Sequence, residues 1–278
     1  MINLKFLRKR LGQVRYVKNP MQIWRFFFSK VKSIEIAITY ACNFKCPGCY
    51  AEDLKTTKPT MLSKEMVLGF IKKYKPMHVN ITGGEPLLHP QIYEIIREIP
   101  KSVVVSIVTN GSLLNEEKIK KLKKAGLNTI QISFGKNYPW ENLEKAKIAK
   151  KYGLNVCLSV TNTKKNKEYI LAAIRAAEKN DYHVLWNLPS SFIMKNFDSE
   201  TYFKYRNHPR VREDNMFWAG RNVCPAGRQK IYITAKGELM PCDRWHKSYP
   251  DLESMRKDFQ GKKVWCSRLG DIHLKNNQ

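Results

Sequence analysis

The sequence predicts an α/β fold: a partial, TIM-like (β/α)6 barrel. Three observations carry that expectation. From residue 33 onward, short apolar strands alternate with amphipathic helices, and that alternation builds a parallel sheet covered by helices. The alternation repeats six times and ends near Pro189, too few units to close an ordinary eight-stranded barrel. The chain of 278 residues is long enough for one such domain and a small appendage. The expected organisation is a basic helical extension over 1–32, the partial barrel over 33–190 and a small C-terminal region over 191–278.

The elements are read in order. "SIEIAITYA" (33–41) is a strand, "SKEMVLGFIKKY" (63–74) a helix opened by Ser63, and "MHVNIT" (77–82) a strand. "PQIYEIIREI" follows as helix, "SVVVSIVT" as strand, and "NEEKIKKLKKA" as helix with Asn115 as its cap. "LNTIQISF", "LNVCLSVT" and "YHVLWNL" complete the strands, with "ENLEKAKIAKKY" and "EYILAAIRAAEK" as the helices between them. Beyond them lies a hairpin-like "KIYITAKGELMPC".

The first 33 residues hold nine Lys/Arg and no Asp or Glu. Leu4, Leu7, Leu11 and Val14 recur at helical spacing, and after Pro20 a second stripe runs through Trp24, Phe27, Phe28 and Val31. Two short basic amphipathic helices fit. They serve either as a contact to an anionic membrane or as an extension packed on the barrel, and a transit peptide has a similar composition. The whole chain carries 50 Lys+Arg against 24 Asp+Glu, a formal charge of +26. That charge favours anionic partners, nucleic acid among them, and is not the balanced surface of a hot-adapted protein. Seven cysteines are too few and too clustered for a disulfide scaffold, and no secretory signal or spanning helix is legible, so a reducing cytoplasm is the expected compartment, with peripheral membrane contact through residues 1–32.

"CNFKCPGCY" places Cys42, Cys46 and Cys49 just after the first strand, and "GGEP" (83–86) follows the second. In a parallel α/β barrel, functional loops sit at the C-terminal ends of the strands. Three thiolates leave a tetrahedral zinc shell one ligand short. They suit an iron-sulfur cluster whose fourth iron is open to a small chelating molecule. Gly83 and Gly84 would allow close backbone approach to that molecule, and Glu85 would accept from its ammonium group. A zinc knuckle borrowing a distant ligand is the structural alternative.

These two motifs, in this order and on these strands, resemble the radical S-adenosylmethionine (radical SAM) enzymes over residues 33 to about 190. The resemblance implies a [4Fe-4S] cluster whose reduced form passes an electron to S-adenosylmethionine, giving methionine and a 5′-deoxyadenosyl radical that takes a hydrogen atom from substrate. It also implies an electron donor such as flavodoxin or ferredoxin. Ser133 stands where family members place a polar residue on the cofactor, and "TNG" (109–111) ends the third strand facing the expected substrate cavity, with Thr109 as a second contact. Two departures stand out. Gly48 replaces the usual aromatic before the third cysteine, leaving only backbone contact to adenine, and "SFG" (133–135) stands where many relatives carry an acid.

"CPAGRQKIYITAKGELMPC" has twelve residues between Cys224 and Gly237 and four between Gly237 and Cys242. It resembles the start of the auxiliary-cluster extension called SPASM, in its shortened twitch form, because only Cys266 follows. The resemblance implies a second, auxiliary [4Fe-4S] cluster on Cys224, Cys242 and Cys266. Its fourth position falls to Asp243, His246, His273 or substrate; a Cys3His zinc site with His246 is the alternative. Cys157, mid-strand, is expected in the core, as free cysteines usually are, with a hydrogen-atom donor role as the lesser alternative. The expected substrate is a peptide or protein side chain, with a small molecule, lipid or tRNA as the other readings. A metal-stapled nucleic-acid binder is the competing class, against which "GGEP" argues.

Overall fold

The computed structural model describes residues 20–46, 49, 51, 60–187, 196–213, 226–243 and 247–258. The first expected basic helix, Gly48, Cys224, Cys266, His246 and His273 lie outside the described residues.

Among the described residues, nine strands form one sheet. The six expected ones are present: β1 (Ser33–Thr39), β2 (His78–Gly83), β3 (Val104–Thr109), β4 (Thr129–Ser133), β5 (Asn155–Thr161) and β6 (His183–Asn187). Three short ones extend the sheet at its edges: β7 (Val211–Glu213), β8 (Lys230–Ile233) and β9 (Leu239–Met240). The order is β7-β6-β5-β4-β3-β2-β1-β8-β9. All neighbours are parallel except β8 and β9, which pair antiparallel as the sequence expected of that hairpin. The sheet therefore stays open between β7 and β9.

Helices connect the strands. After α1 (Pro20–Phe28) come α2 (Lys64–Tyr74), α3 (Ile92–Glu98), α4 (Glu116–Ala125), α5 (Asn142–Lys151) and α6 (Lys167–Asn180), then α7 (Ser199–Tyr205) and α8 (Leu252–Asp258). The sequence-assigned caps form: Ser63 accepts from the Met66 amide and Asn115 from the Lys118 amide. The helices between the six main strands turn apolar stripes onto the sheet. Val67 and Ile71, Ile119 and Leu122, and Ile170, Ala173 and Ile174 pack with Ile34, Ile36, Val79, Ile107, Ile130 and Leu158 in one core.

The alternate residues of the same strands face away from the helices, and most of them are polar. Ser33, Glu35, His78, Asn80, Ser106, Gln131, Ser133 and Ser159 line this inner face, running across neighbouring strands. Cys157 belongs with them, half-buried between Gln131 and His183 in the strand register. The expectation of core packing is thus corrected: position 157 falls on the opposite side of β5 from Val156 and Leu158, which do fill the core. Val31 is a second correction. It lies beyond the end of α1, buried in the core beneath β1, not in the stripe of Trp24 and Phe28.

Candidate functional site

β1 ends in a register shift between Ala37 and Thr39, and the chain leaves the sheet there to form the cysteine loop. Segment 60–62 returns against that end. The Tyr40 amide donates to the Thr60 carbonyl and the Leu62 amide to the Ile38 carbonyl. Within the loop the Phe44 amide donates to Cys42 Sγ at 3.4 Å, and the Cys49 amide to the Cys46 carbonyl at 3.2 Å. All three thiols are half-buried.

The glycines of GGEP are required by what lies against them. Gly83 has φ +140, and a Cβ there would sit 2.1 Å from the Thr39 carbonyl oxygen. At Gly84 it would sit 2.2 Å from the Ala41 oxygen. The Gly84 amide donates to that Thr39 carbonyl at 2.7 Å and the Glu85 amide to Ala41 at 2.8 Å. The close approach is therefore between the turn and the backbone that begins the cysteine loop.

Glu85 does not reach outward. It is fully buried, and its carboxylate accepts from the Leu87 amide, the Thr109 hydroxyl and the Asn110 amide at 3.1, 2.8 and 2.7 Å. Burial holds its pKa above the ordinary carboxylate value, and those three donors offset part of that rise. Asn110 then reaches the cysteine loop: its amide nitrogen donates to Asn43 Oδ1 at 2.9 Å, and Asn43 donates to Ser112 at 2.8 Å. Asn142 adds a fourth strand end, donating to the carbonyls of Asn110 and Ser133 at 2.9 and 2.8 Å. Gly111, with φ +78, has no room for a Cβ beside the Asn142 amide. The loops after β1, β2, β3 and β4 are thus tied into one unit by side chains.

Thr109 is spoken for by Glu85 and is buried, so it is a member of this lashing and not a wall of an open cavity. Ser133 stays half-buried on the inner face, beside Ser159 of β5. The loop that follows it brings in Tyr138, which the sequence reading did not single out. Its hydroxyl lies 3.6 Å from Cys46 Sγ, its ring stacks on Phe44 at 6.1 Å, and it hydrogen-bonds the Ser133 side chain. Burial, then the neighbouring Cys46, pushes the hydroxyl well above the usual tyrosine range, so it keeps its proton. The signal available in sequence was an aromatic-rich "SFGKNYPW" directly after a strand end.

Three sulfur donors on one loop suit an iron-sulfur cluster and leave a zinc shell one ligand short. A zinc ion would need all its thiolates around one point, whereas cysteines on a cubane cluster each reach a different iron. In the C-terminal region, Cys242 follows β9 and is half-buried; its proposed partners lie outside the described residues.

An open, mostly parallel α/β sheet carrying three thiolates on the loop after its first strand, braced by a glycine turn after its second, defines a cluster-binding partial barrel. The radical SAM superfamily model matches residues 36–194, and the chain belongs to that superfamily. Family membership implies a [4Fe-4S] cluster and S-adenosylmethionine. Among curated relatives, GTP 3′,8-cyclase of Listeria monocytogenes is 38% identical over 122 residues, 41% of this chain and 36% of that protein. A probable GTP 3′,8-cyclase of Methanocaldococcus jannaschii is 35% identical over 113 residues, 38% of this chain and 37% of that protein. The chain therefore matches little more than a third of the length of these relatives. Among solved structures, SuiB of Streptococcus suis bound to precursor peptide SuiA superposes with a TM-score of 0.61 at 14% identity, over 95% of this chain and 68% of that one. SuiB bound to S-adenosylmethionine gives 0.62 at 15%, over 94% and 71%. The protein shares their fold.

Proposed function

We propose that this radical SAM enzyme abstracts a hydrogen atom from a peptide or protein side chain. The observation that carries the enzymatic reading is the lashing of the cysteine loop to the GGEP turn through Glu85, Thr109, Asn110 and Asn43. Such a brace has a use where three thiolates must be held apart at fixed positions, and none in a loop that merely folds around an ion. Cys42, Cys46 and Cys49 would hold the cluster. When bound and reduced by a donor such as flavodoxin or ferredoxin, it supplies the electron that cleaves S-adenosylmethionine to methionine and a 5′-deoxyadenosyl radical.

The chain's own residues do the rest. The Gly83-Gly84 turn fixes the edge of the cofactor pocket, and Ser133 presents a hydroxyl from the inner face. Gly48 leaves the cysteine loop without its usual ring; the Phe44–Tyr138 pair offers aromatic surface beside Cys46 in its place. The polar inner face, open along one side, accommodates an extended substrate. A second [4Fe-4S] cluster of the twitch or SPASM kind would draw on Cys224 before the β8–β9 hairpin and on Cys242 and Cys266 after it, and would receive the substrate's electron. The peptide reading is supported by the fold shared with peptide-bound SuiB through 95% of this chain. A small-molecule substrate is the second reading. The sequence identity to nucleotide cyclases favours it, since 38% over 122 residues exceeds the 14% to SuiB.

The test is anaerobic. Reconstituted protein given dithionite and S-adenosylmethionine should form 5′-deoxyadenosine, and Cys42→Ala/Cys46→Ala/Cys49→Ala should abolish it while the C-terminal iron remains. Product formation in that variant overturns the assignment. Replacing Cys224, Cys242 and Cys266 by Ala should remove about half the iron and leave uncoupled 5′-deoxyadenosine formation. Incubation with a library of short synthetic peptides, against GTP, separates the two substrate readings by which one changes mass.

A further inference from the structure

We infer that α1 is a docking surface for an anionic lipid bilayer, held at the end of the barrel opposite the cysteine loop. The helix presents an exposed apolar stripe. Met21, Trp24 and Phe28 share one face at i, i+3 and i+7, and they are 55%, 56% and 66% exposed. The Trp24 and Phe28 rings touch, with centroids 5.4 Å apart. The polar residues are the ones turned inward. Gln22 donates to the Lys101 carbonyl at 3.1 Å, Arg25 to the Ser102 hydroxyl at 2.9 Å and the Pro76 carbonyl at 3.1 Å, and Ser29 to the Lys75 carbonyl at 3.1 Å.

Those acceptors lie in the turns that precede β2 and β3, at the N-terminal ends of the strands. The helix is thus fixed to the base of the barrel through Gln22, Arg25 and Ser29, with Met21, Trp24 and Phe28 exposed. Three hydrogen-bonded attachments make this a set orientation and not a frayed end.

Charge around the stripe selects the occupant. Lys30, Lys75 and Lys101 are exposed, and the last two are the very residues whose carbonyls receive the helix. Across residues 1–33 there are nine basic side chains and no acidic one. A tryptophan and a phenylalanine flanked by lysines match the headgroup boundary of an anionic membrane, where the rings sit at the interface and the ammonium groups meet phosphate. A neutral protein partner would give these lysines nothing to pair with. Docking here leaves the cysteine loop and the GGEP turn, at the C-terminal strand ends, facing away from the bilayer and open to substrate.

The probe is full-length protein sedimented with phosphatidylcholine vesicles, with and without phosphatidylglycerol. Binding is expected only to the anionic vesicles and should weaken as salt is raised. Met21→Ser/Trp24→Ser/Phe28→Ser should reduce the bound fraction by at least about tenfold while the thermal unfolding transition stays in place, because none of the three supports the core. Lys30→Gln/Lys75→Gln/Lys101→Gln should weaken binding to anionic vesicles and leave α1 docked. Failure of the intact protein to sediment, equal binding to neutral vesicles, or undiminished binding by the serine variant each overturns the proposal. So does concentration-dependent dimerisation in solution that the serine variant abolishes, which would assign the stripe to a second copy of the chain.

Discussion

The two ends of the barrel both spend polar side chains inside the protein, but in different ways. At the base of the inner face, the partners are side chains of neighbouring strands. Ser33 contacts His78 at 3.0 Å, His78 contacts Ser106 at 2.7 Å, Ser106 donates to Asn80, and Glu35 pairs with Lys230 at 2.7 Å. At the top, the acceptors and donors are mostly loop backbone: the amides of Leu87 and Asn110, and the carbonyls of Asn110, Ser133 and Gly111. The sheet ladder already holds the base in place, so its network only has to satisfy itself. At the top, isolated backbone bonds such as Gly84 to Thr39 and Glu85 to Ala41 are supplemented by side chains, and a defect there moves the loop that carries the cysteines.

That difference sets the scale of the expected effects. The largest belongs to Glu85. In Glu85→Gln one oxygen becomes an NH2 group facing an amide donor, so at least one buried N–H or O–H loses its acceptor, at about 1–3 kcal/mol each. The yield of 5′-deoxyadenosine should fall by about tenfold or more, with a broadened cluster EPR signal. An unchanged yield would mean that the top tolerates disorder as well as the base. Gly84→Ala comes next. Its Cβ meets the Ala41 carbonyl oxygen at 2.2 Å, and backbone cannot swing aside, so about 1–3 kcal/mol of stability should be lost in urea titrations. The equivalent change at Gly69 of α2, where nothing lies within 4 Å, is the control and should leave stability equal or higher.

The strands, five of their connecting helices and both assigned caps were legible because period and capping are local properties of sequence. The sheet's extension was only half legible. β8 and β9 read as a hairpin, but that β8 lies parallel to β1 is a contact between residues almost 200 positions apart, and nothing near Lys230 encodes it. The site was legible as two motifs. How they are joined was not, because Asn43 to Asn110 and Tyr138 to Cys46 are pairs separated by 67 and 92 residues. Cys157 was misplaced for a simpler reason: mid-strand position says nothing of which face a residue takes unless the alternation around it is read, and "NVCLSVT" puts 157 with Asn155 and Ser159.

The base has a smaller effect of its own, visible in pH. Burial first, then Lys230, lowers the His78 pKa to about 4, against an ordinary value near 6.5. The folded state therefore keeps this ring neutral at pH values where the unfolded chain protonates it. Stability is full above about pH 6.5, falls as pH drops towards 4 by at most about 1.4 kcal/mol per unit from this residue, and levels off below. His183 is also lowered to about 4, by burial and then Arg212, and adds to the same slope. His78→Gln should flatten the dependence of the urea midpoint between pH 7 and 5 by part, leaving the His183 share. An unaltered slope would remove His78 from the base network.

The smallest expected effect lies at the top and tests whether its side chains reach beyond holding loops. Tyr138 keeps its proton and lies 3.6 Å from Cys46 Sγ, a long contact for an O–H to sulfur bond. A hydrogen bond to a cluster thiolate stabilises the more negative, reduced state, so removing it lowers the midpoint potential. In Tyr138→Phe the ring still stacks on Phe44 and only the hydroxyl is lost. The cluster's midpoint should shift to a slightly more negative value, while iron content and the unfolding transition stay unchanged. Tyr138→Leu should keep that shift and in addition weaken S-adenosylmethionine binding, measured by equilibrium dialysis, because the aromatic surface beside Cys46 is gone. If both variants bind the cofactor equally, the Phe44–Tyr138 pair only packs the loop, and the ring missing at Gly48 has no replacement here.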